Sequence, residues 1–198
     1  FARVLAGIDS VLQRSDLDLL LASVGDGEER TGVPAHRKLR RRVDGFLVIS
    51  MPTDDSEMAE LLASGAPVAL IDTDRDGCWS VGIDDRAGAR TAVQHLINLG
   101  HERIGLIGGR DAAVPSRPQQ QRWLGYRDSL TEADLSVEPD LHASGMFTIE
   151  GGERAMTTLL SRPKPPTAVF AMSDEMAFGA LRSIRAHGLQ PGRDVSVV

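Results

Sequence analysis

The hydrophobic pattern of this chain changes period again and again. Val4, Leu5, Ile8, Val11 and Leu12 fall at helical i, i+3/i+4 spacing and predict one amphipathic helix. Leu17 to Ala22 (LDLLLA) is a short apolar run after a polar break and reads as a buried strand. Phe46 to Ile49, Pro67 to Ile71, Val81 to Ile83, Ile104 to Ile107, Ala168 to Ala171 and Val195 to Val198 read the same way. Residues 27–42 are polar and helix-capable, and helical spacing returns over Ser56 to Ser64, Gly88 to Leu99, from about Gln119 to Glu132, and over Thr148 to Leu160. A last helix carries Ala177, Ala180, Leu181 and Ile184, with Asp174 as its expected cap. Gly100 and Gly188 stand where helix C-caps belong.

Continuously apolar strands alternating with helices predict an α/β fold, a parallel sheet covered on both faces. The loop at about 109–118, with Pro115 and Pro118, is the expected boundary between an N-terminal lobe, residues 1–109, and a C-terminal lobe, residues 110–198. The length of 198 residues fits one domain or two small ones at about 100–200 residues each.

A net charge of −6 argues against this segment itself being a nucleic-acid-binding body. The single cysteine, Cys78, excludes an intrachain disulfide and a cysteine-based metal cage. No stretch approaches the ~20 apolar residues that span a bilayer. The N-terminus lacks the layout of a secretion signal. Both ends read as cut, so a fragment of a longer protein is expected.

Several motifs fail on inspection. Asp72-Thr73-Asp74-Arg75-Asp76-Gly77 resembles the start of a calcium loop, but Ile83 stands where the bidentate Glu belongs, leaving a solvated loop as the reading. Ile107-Gly108-Gly109-Arg110 gives neither a dinucleotide fingerprint nor a phosphate loop, and its glycines read as a tight turn. There is no nucleophile elbow or His-Glu-x-x-His, and the histidines at 36, 95, 101, 142 and 187 have no metal-ligand spacing. His101 reads as part of a helix end. The basic run His36 to Arg42 reads as the wet face of a helix, with phosphate contact as the other use. No cofactor, metal or catalytic group is expected, and the chain reads as a non-enzyme.

Five stretches in order resemble the lactose/galactose-repressor (LacI/GalR) transcription regulators: FARVLAGID, VDGFLVIS with PVALIDTD, VGIDDRAGARTAVQHLINLGHERIGLIGG, RWLGYRDSL, and PPTAVFAMSDEMAFGALRSIRAHGLQPGRDVSVV. The resemblance covers nearly the whole chain. It implies a periplasmic-binding-protein-like (type I) fold, two Rossmann-like lobes with parallel sheets holding a small polar effector in the cleft. A sugar is the default effector, with a purine as the other possibility. It further implies a cytoplasmic homodimer that reaches operator DNA through an N-terminal headpiece outside this chain, with no membrane partner. The first strand, and whatever relatives carry beyond Val198, would also be missing.

The resemblance carries individual residues over. Arg122 matches an effector-binding Arg whose planar fork can serve vicinal hydroxyls or a carboxylate; a plain salt bridge is the alternative. Phe147 matches an aromatic packing on the effector ring, against an ordinary core role. Phe1 matches an aromatic at the cleft mouth. Ser173 stands where many relatives carry an effector-bonding Asn, and is shorter. Ser116 lies in a loop where relatives place polar contacts. The competing readings are a periplasmic sugar-binding protein of a transport system, which shares the fold, and an enzyme on the same scaffold.

Overall fold

The computed structural model describes residues 2–22, 39, 42–50, 55–109 and 116–198. Elements run α1 (Ala2–Leu12), β1 (Phe46–Ile49), α2 (Asp55–Leu62), β2 (Val68–Ile71), β3 (Trp79–Val81), α3 (Asp85–Asn98), β4 (Ile104–Gly108), α4 (Arg117–Glu132), β5 (His142–Ser144), α5 (Ile149–Leu160), β6 (Ala168–Ala171), α6 (Asp174–Ala186) and β7 (Ser196–Val197). The chain packs as two units, residues 1–47 with 53–68, and residues 48–52 with 69–198. Most of the expected helix at 27–42 and of the basic run at 36–42 lies outside the described residues.

In the first unit, α1 forms over the expected stripe, yet none of its residues is buried and Val11 is exposed. Met58 and Leu61 of α2 are buried. Leu17 to Ala22 is not the buried strand its pattern predicts: the backbone there is irregular, and Leu17, Leu19, Leu20 and Leu21 are exposed. An apolar run announces a demand for burial, but a strand exists only where a neighbouring backbone offers a ladder. Among the described residues, no ladder reaches this run.

The second unit holds the fold's centre. Strands β1, β2 and β3 form one sheet in that order, with β2 and β3 parallel. β3 starts two residues before the predicted Val81, because its ladder ends where β2 ends, with Ile71 opposite Val81. The other sheet has the order β5-β4-β6-β7, all parallel. β6 is buried throughout, as is β4 up to Ile107, which requires cover on both faces. The chain leaves β4 towards β5 on one side and returns past it to β6 on the other. Right-handed crossovers then place α4 on one face and α5 and α6 on the opposite one. Ile104–Gly108, which the reading by pattern puts at the end of the first lobe, is therefore an inner strand of the second sheet.

β5 carries His, Ala and Ser and lies half-buried at the sheet edge, so no apolar run announces it. α3 ends as expected: Leu99 is the C-cap, Gly100 takes φ +88°, and His101 N–H donates to Leu96 O. The His101 ring does more than finish a helix. Its two nitrogens lie 3.0 Å from Thr167 Oγ1 and 3.0 Å from Ser196 Oγ, tying the loop before β4 to β6 and β7. At α6 the cap is Ser173, whose Oγ accepts from Met176 N–H, and Asp174 is the first helical residue.

Candidate ligand site at the carboxyl edge of the four-stranded sheet

In open parallel sheets the ligand crevice lies beyond the carboxyl ends of the strands, where the strand order reverses. Here the reversal falls between β4 and β6. Arg122, on α4, reaches this point. Its Nη1 donates to Met172 O at 2.6 Å, the residue directly after β6. Its Nε donates to Asp85 Oδ1 at 2.8 Å, and Nη2 is also 2.8 Å from that oxygen. The Asp85 side chain is 3% exposed and that of Arg122 28%, so the pair is largely shielded while the guanidinium keeps an open side.

The helix contact behind Arg122 explains its reach. Gly125, one turn on, lies so close to α3 that an added Cβ would fall 2.4 Å from Arg86 O and 2.8 Å from Ala89 Cβ. With α3 and α4 this close, their starting turns meet and Arg122 touches Asp85. Arg86–Asp128 and Arg90–Glu132 ion pairs continue the contact along the same helices.

The remaining expected positions gather at the same edge, Phe1 excepted, which lies outside the described residues. Ser173 follows Met172 and opens α6. Ser116 is the N-cap of α4 and makes no side-chain capping bond. Phe147 follows β5, half-buried against the core; it and Gln119 press on Gly109, where an added Cβ would meet Phe147 Cε2 at 2.4 Å and Gln119 Oε1 at 2.5 Å. Gly109 thus serves close approach, whereas Gly108 ends β4 with nothing within 4 Å of an added Cβ. Met146 and Phe147 are consecutive non-glycine residues at φ +58° and +55°. Ser50 and Asp72, after β1 and β2, are also left-handed, at φ +48° and +59°, and Ser50 Oγ–H donates to Asp72 at 2.8 Å. Strain of this kind concentrates where a loop is held for function.

Asp85 and the Met172 carbonyl escape sequence reasoning. Asp84 takes the N-cap of α3, accepting from Ala87 N–H. One cap needs one carboxylate, so the second Asp of the pair was the available signal. The acidic loop after β2 also has a defined contact: Asp74 pairs with Arg117 through Nε and Nη2, each at 3.0 Å.

Aromatic packing fixes α4 from below. Trp123 and Tyr126 meet the His142 ring edge-on, with centroids 4.8 Å and 5.6 Å away. Burial holds the His142 imidazole below the usual histidine range, and its buried Nε2 makes no hydrogen bond. A base whose folded pKa is depressed binds fewer protons folded than unfolded, so its contribution is complete above the unfolded value of about 6.5 and lost as pH falls below it. The melting temperature should therefore drop between pH 7.5 and 5.5, and His142→Phe should flatten that part of the profile. An unchanged profile in the variant would remove His142 as the source.

Among known proteins, residues 1–198 match a family model described as periplasmic binding proteins and sugar binding domain of LacI family. The chain is 30% identical over 206 residues to the ribose operon repressor of Haemophilus influenzae, covering 100% of this chain and 59% of that protein. It is 30% identical over 203 residues to the HTH-type transcriptional repressor PurR of Pasteurella multocida, with the same 100% and 59% shares. It also resembles the crystal structure of a LacI family transcriptional regulator from Enterococcus faecium with bound ribose, at a TM-score of 0.82 and 26% identity, covering 100% of this chain and 71% of the other. These relatives carry the names of regulators, not of enzymes. The chain spans about three-fifths of the curated relatives' length.

Proposed function

This chain belongs to the family of periplasmic binding proteins and LacI sugar-binding domains, and from that premise we propose that it is the effector-binding and dimerisation region of a DNA-binding transcriptional repressor. The effector is a small polar molecule, a sugar before a purine. It binds at the carboxyl edge of the four-stranded sheet. Arg122 donates to it, Phe147 stacks on its ring, and Ser173, Ser116 and Phe1 complete the contacts. The chain comprises an N-terminal lobe, residues 1–109, and a C-terminal lobe, residues 110–198. Operator DNA is contacted through a headpiece outside residues 1–198, the protein works as a cytoplasmic homodimer, and no bond is made or broken.

The observation that carries this reading is the setting of Arg122, held by Asp85 and Met172 O at the strand-order reversal. A guanidinium fixed on one side offers its remaining donors in a defined plane. Binding that favours one conformation over another transmits a coupling of about 1–3 kcal/mol to the DNA-binding part.

A thermal-shift screen of sugars, sugar phosphates and nucleobases tests the reading. A ligand at a hundred times its Kd stabilises the native state by about 2.7 kcal/mol, a rise of about 5–10 °C for a domain of this size. A flat response to every compound would count against an effector site.

A further inference from the structure

We infer that Asp85 sets the charge class of the effector, selecting a neutral polyhydroxylated molecule over a sugar phosphate or sugar acid. This rests on the reading that Arg122 meets the effector. The three contacts of Arg122, two with Asp85 Oδ1 and one with Met172 O, use at most three of the five guanidinium N–H groups. Donors on the Nη side remain for a pair of hydroxyl oxygens. The charge does not remain. Asp85 is buried, and at 2.8 Å it already neutralises the guanidinium in a place where water screens poorly.

An anion entering here would lose its hydration and meet an ion pair of zero net charge, with a fixed carboxylate behind the donor. A hydroxyl loses far less and gains the same hydrogen bonds. Among the described residues, the other charges at this edge point the same way. Arg117, in the first turn of α4, is taken by Asp74. The start of α6, whose dipole would otherwise attract an anion, already carries Asp174 and Glu175.

Isothermal titration of the full chain with matched sets decides the matter: D-ribose against D-ribose 5-phosphate and D-ribonate, and D-glucose against D-glucose 6-phosphate and D-glucuronate. The neutral member of whichever set binds should bind at least tenfold tighter than its anions. Asp85→Asn should shrink that ratio at least tenfold, and Asp85→Glu should keep it. If circular dichroism shows Asp85→Asn unfolded, the wild-type ratio decides. Anions bound as tightly as the neutral sugar, or a ratio unmoved in a folded Asp85→Asn, would overturn the role of Asp85 while leaving the effector site standing. Binding of none of the six compounds would overturn the selection of a neutral sugar, and a flat response to nucleobases as well would overturn the effector site.

Discussion

Gly179→Ala should destabilise the protein by about 3 kcal/mol or more, lowering the melting temperature by about 6–12 °C. A glycine inside a helix ordinarily loses about 1 kcal/mol against alanine, so the naive expectation has the opposite sign. Packing reverses it. A Cβ on Gly179 would lie 2.0 Å from Ile149 O, 2.5 Å from Glu153 N and 2.9 Å from Gly152 C. All three are backbone atoms of α5 and cannot rotate aside. Gly152 faces the contact from α5, where its own Cβ would fall 2.3 Å from Met176 O. The two helices therefore meet backbone to backbone, and a methyl group can enter only if one of them shifts. Gly88 in α3 supplies the control, since a Cβ there meets nothing within 4 Å. Gly88→Ala should be neutral or stabilising by up to about 1 kcal/mol. Urea denaturation of both variants checks the pair; Gly179→Ala within 1 kcal/mol of wild type would show that the crossing is loosely packed.

Arg122→Ala should have the largest effect on binding, about 100-fold or more in effector affinity, since hydrogen bonds from a charged donor contribute about 1.5–3 kcal/mol each. It should also cost stability. Removing one partner of a buried ion pair costs about 3–5 kcal/mol, and because Arg122 is partly open to solvent a loss of about 2–3 kcal/mol is expected here. Arg122→Lys should rescue little of the binding: one ammonium cannot serve Asp85, the Met172 carbonyl and the effector in the plane the guanidinium covers. Titration calorimetry and urea denaturation together separate the two effects. An Arg122→Ala protein that binds normally would displace Arg122 from the site.

What could be read from the sequence followed burial. Ala168–Ala171 and Ile104–Ile107 were legible because strands covered on both faces are apolar at every position. β5 was not, because a half-buried edge strand of His, Ala and Ser carries neither alternation nor an apolar run. Leu17 to Ala22 failed in the opposite sense, apolar yet without a ladder. Strand order, and with it the place of β4, depends on pairings far apart in sequence that no local pattern encodes. At the site, Arg122, Phe147, Ser173 and Ser116 entered through family resemblance, and their common edge follows from the topology. Asp85 stayed hidden because the neighbouring Asp84 accounts for the helix cap and a second carboxylate looks like surface. The left-handed backbone at Met146 and Phe147 has no glycine to advertise it.

The central claim is that a small molecule held by Arg122 controls DNA binding. It is tested most directly by measuring operator affinity of the full-length protein with and without a saturating effector, for wild type and Arg122→Ala, at a temperature where both are folded. Wild-type affinity should change about 5–150-fold, and the variant should bind operator yet show no change at the same effector concentration. A variant that responds over the same effector concentrations as wild type would contradict the claim.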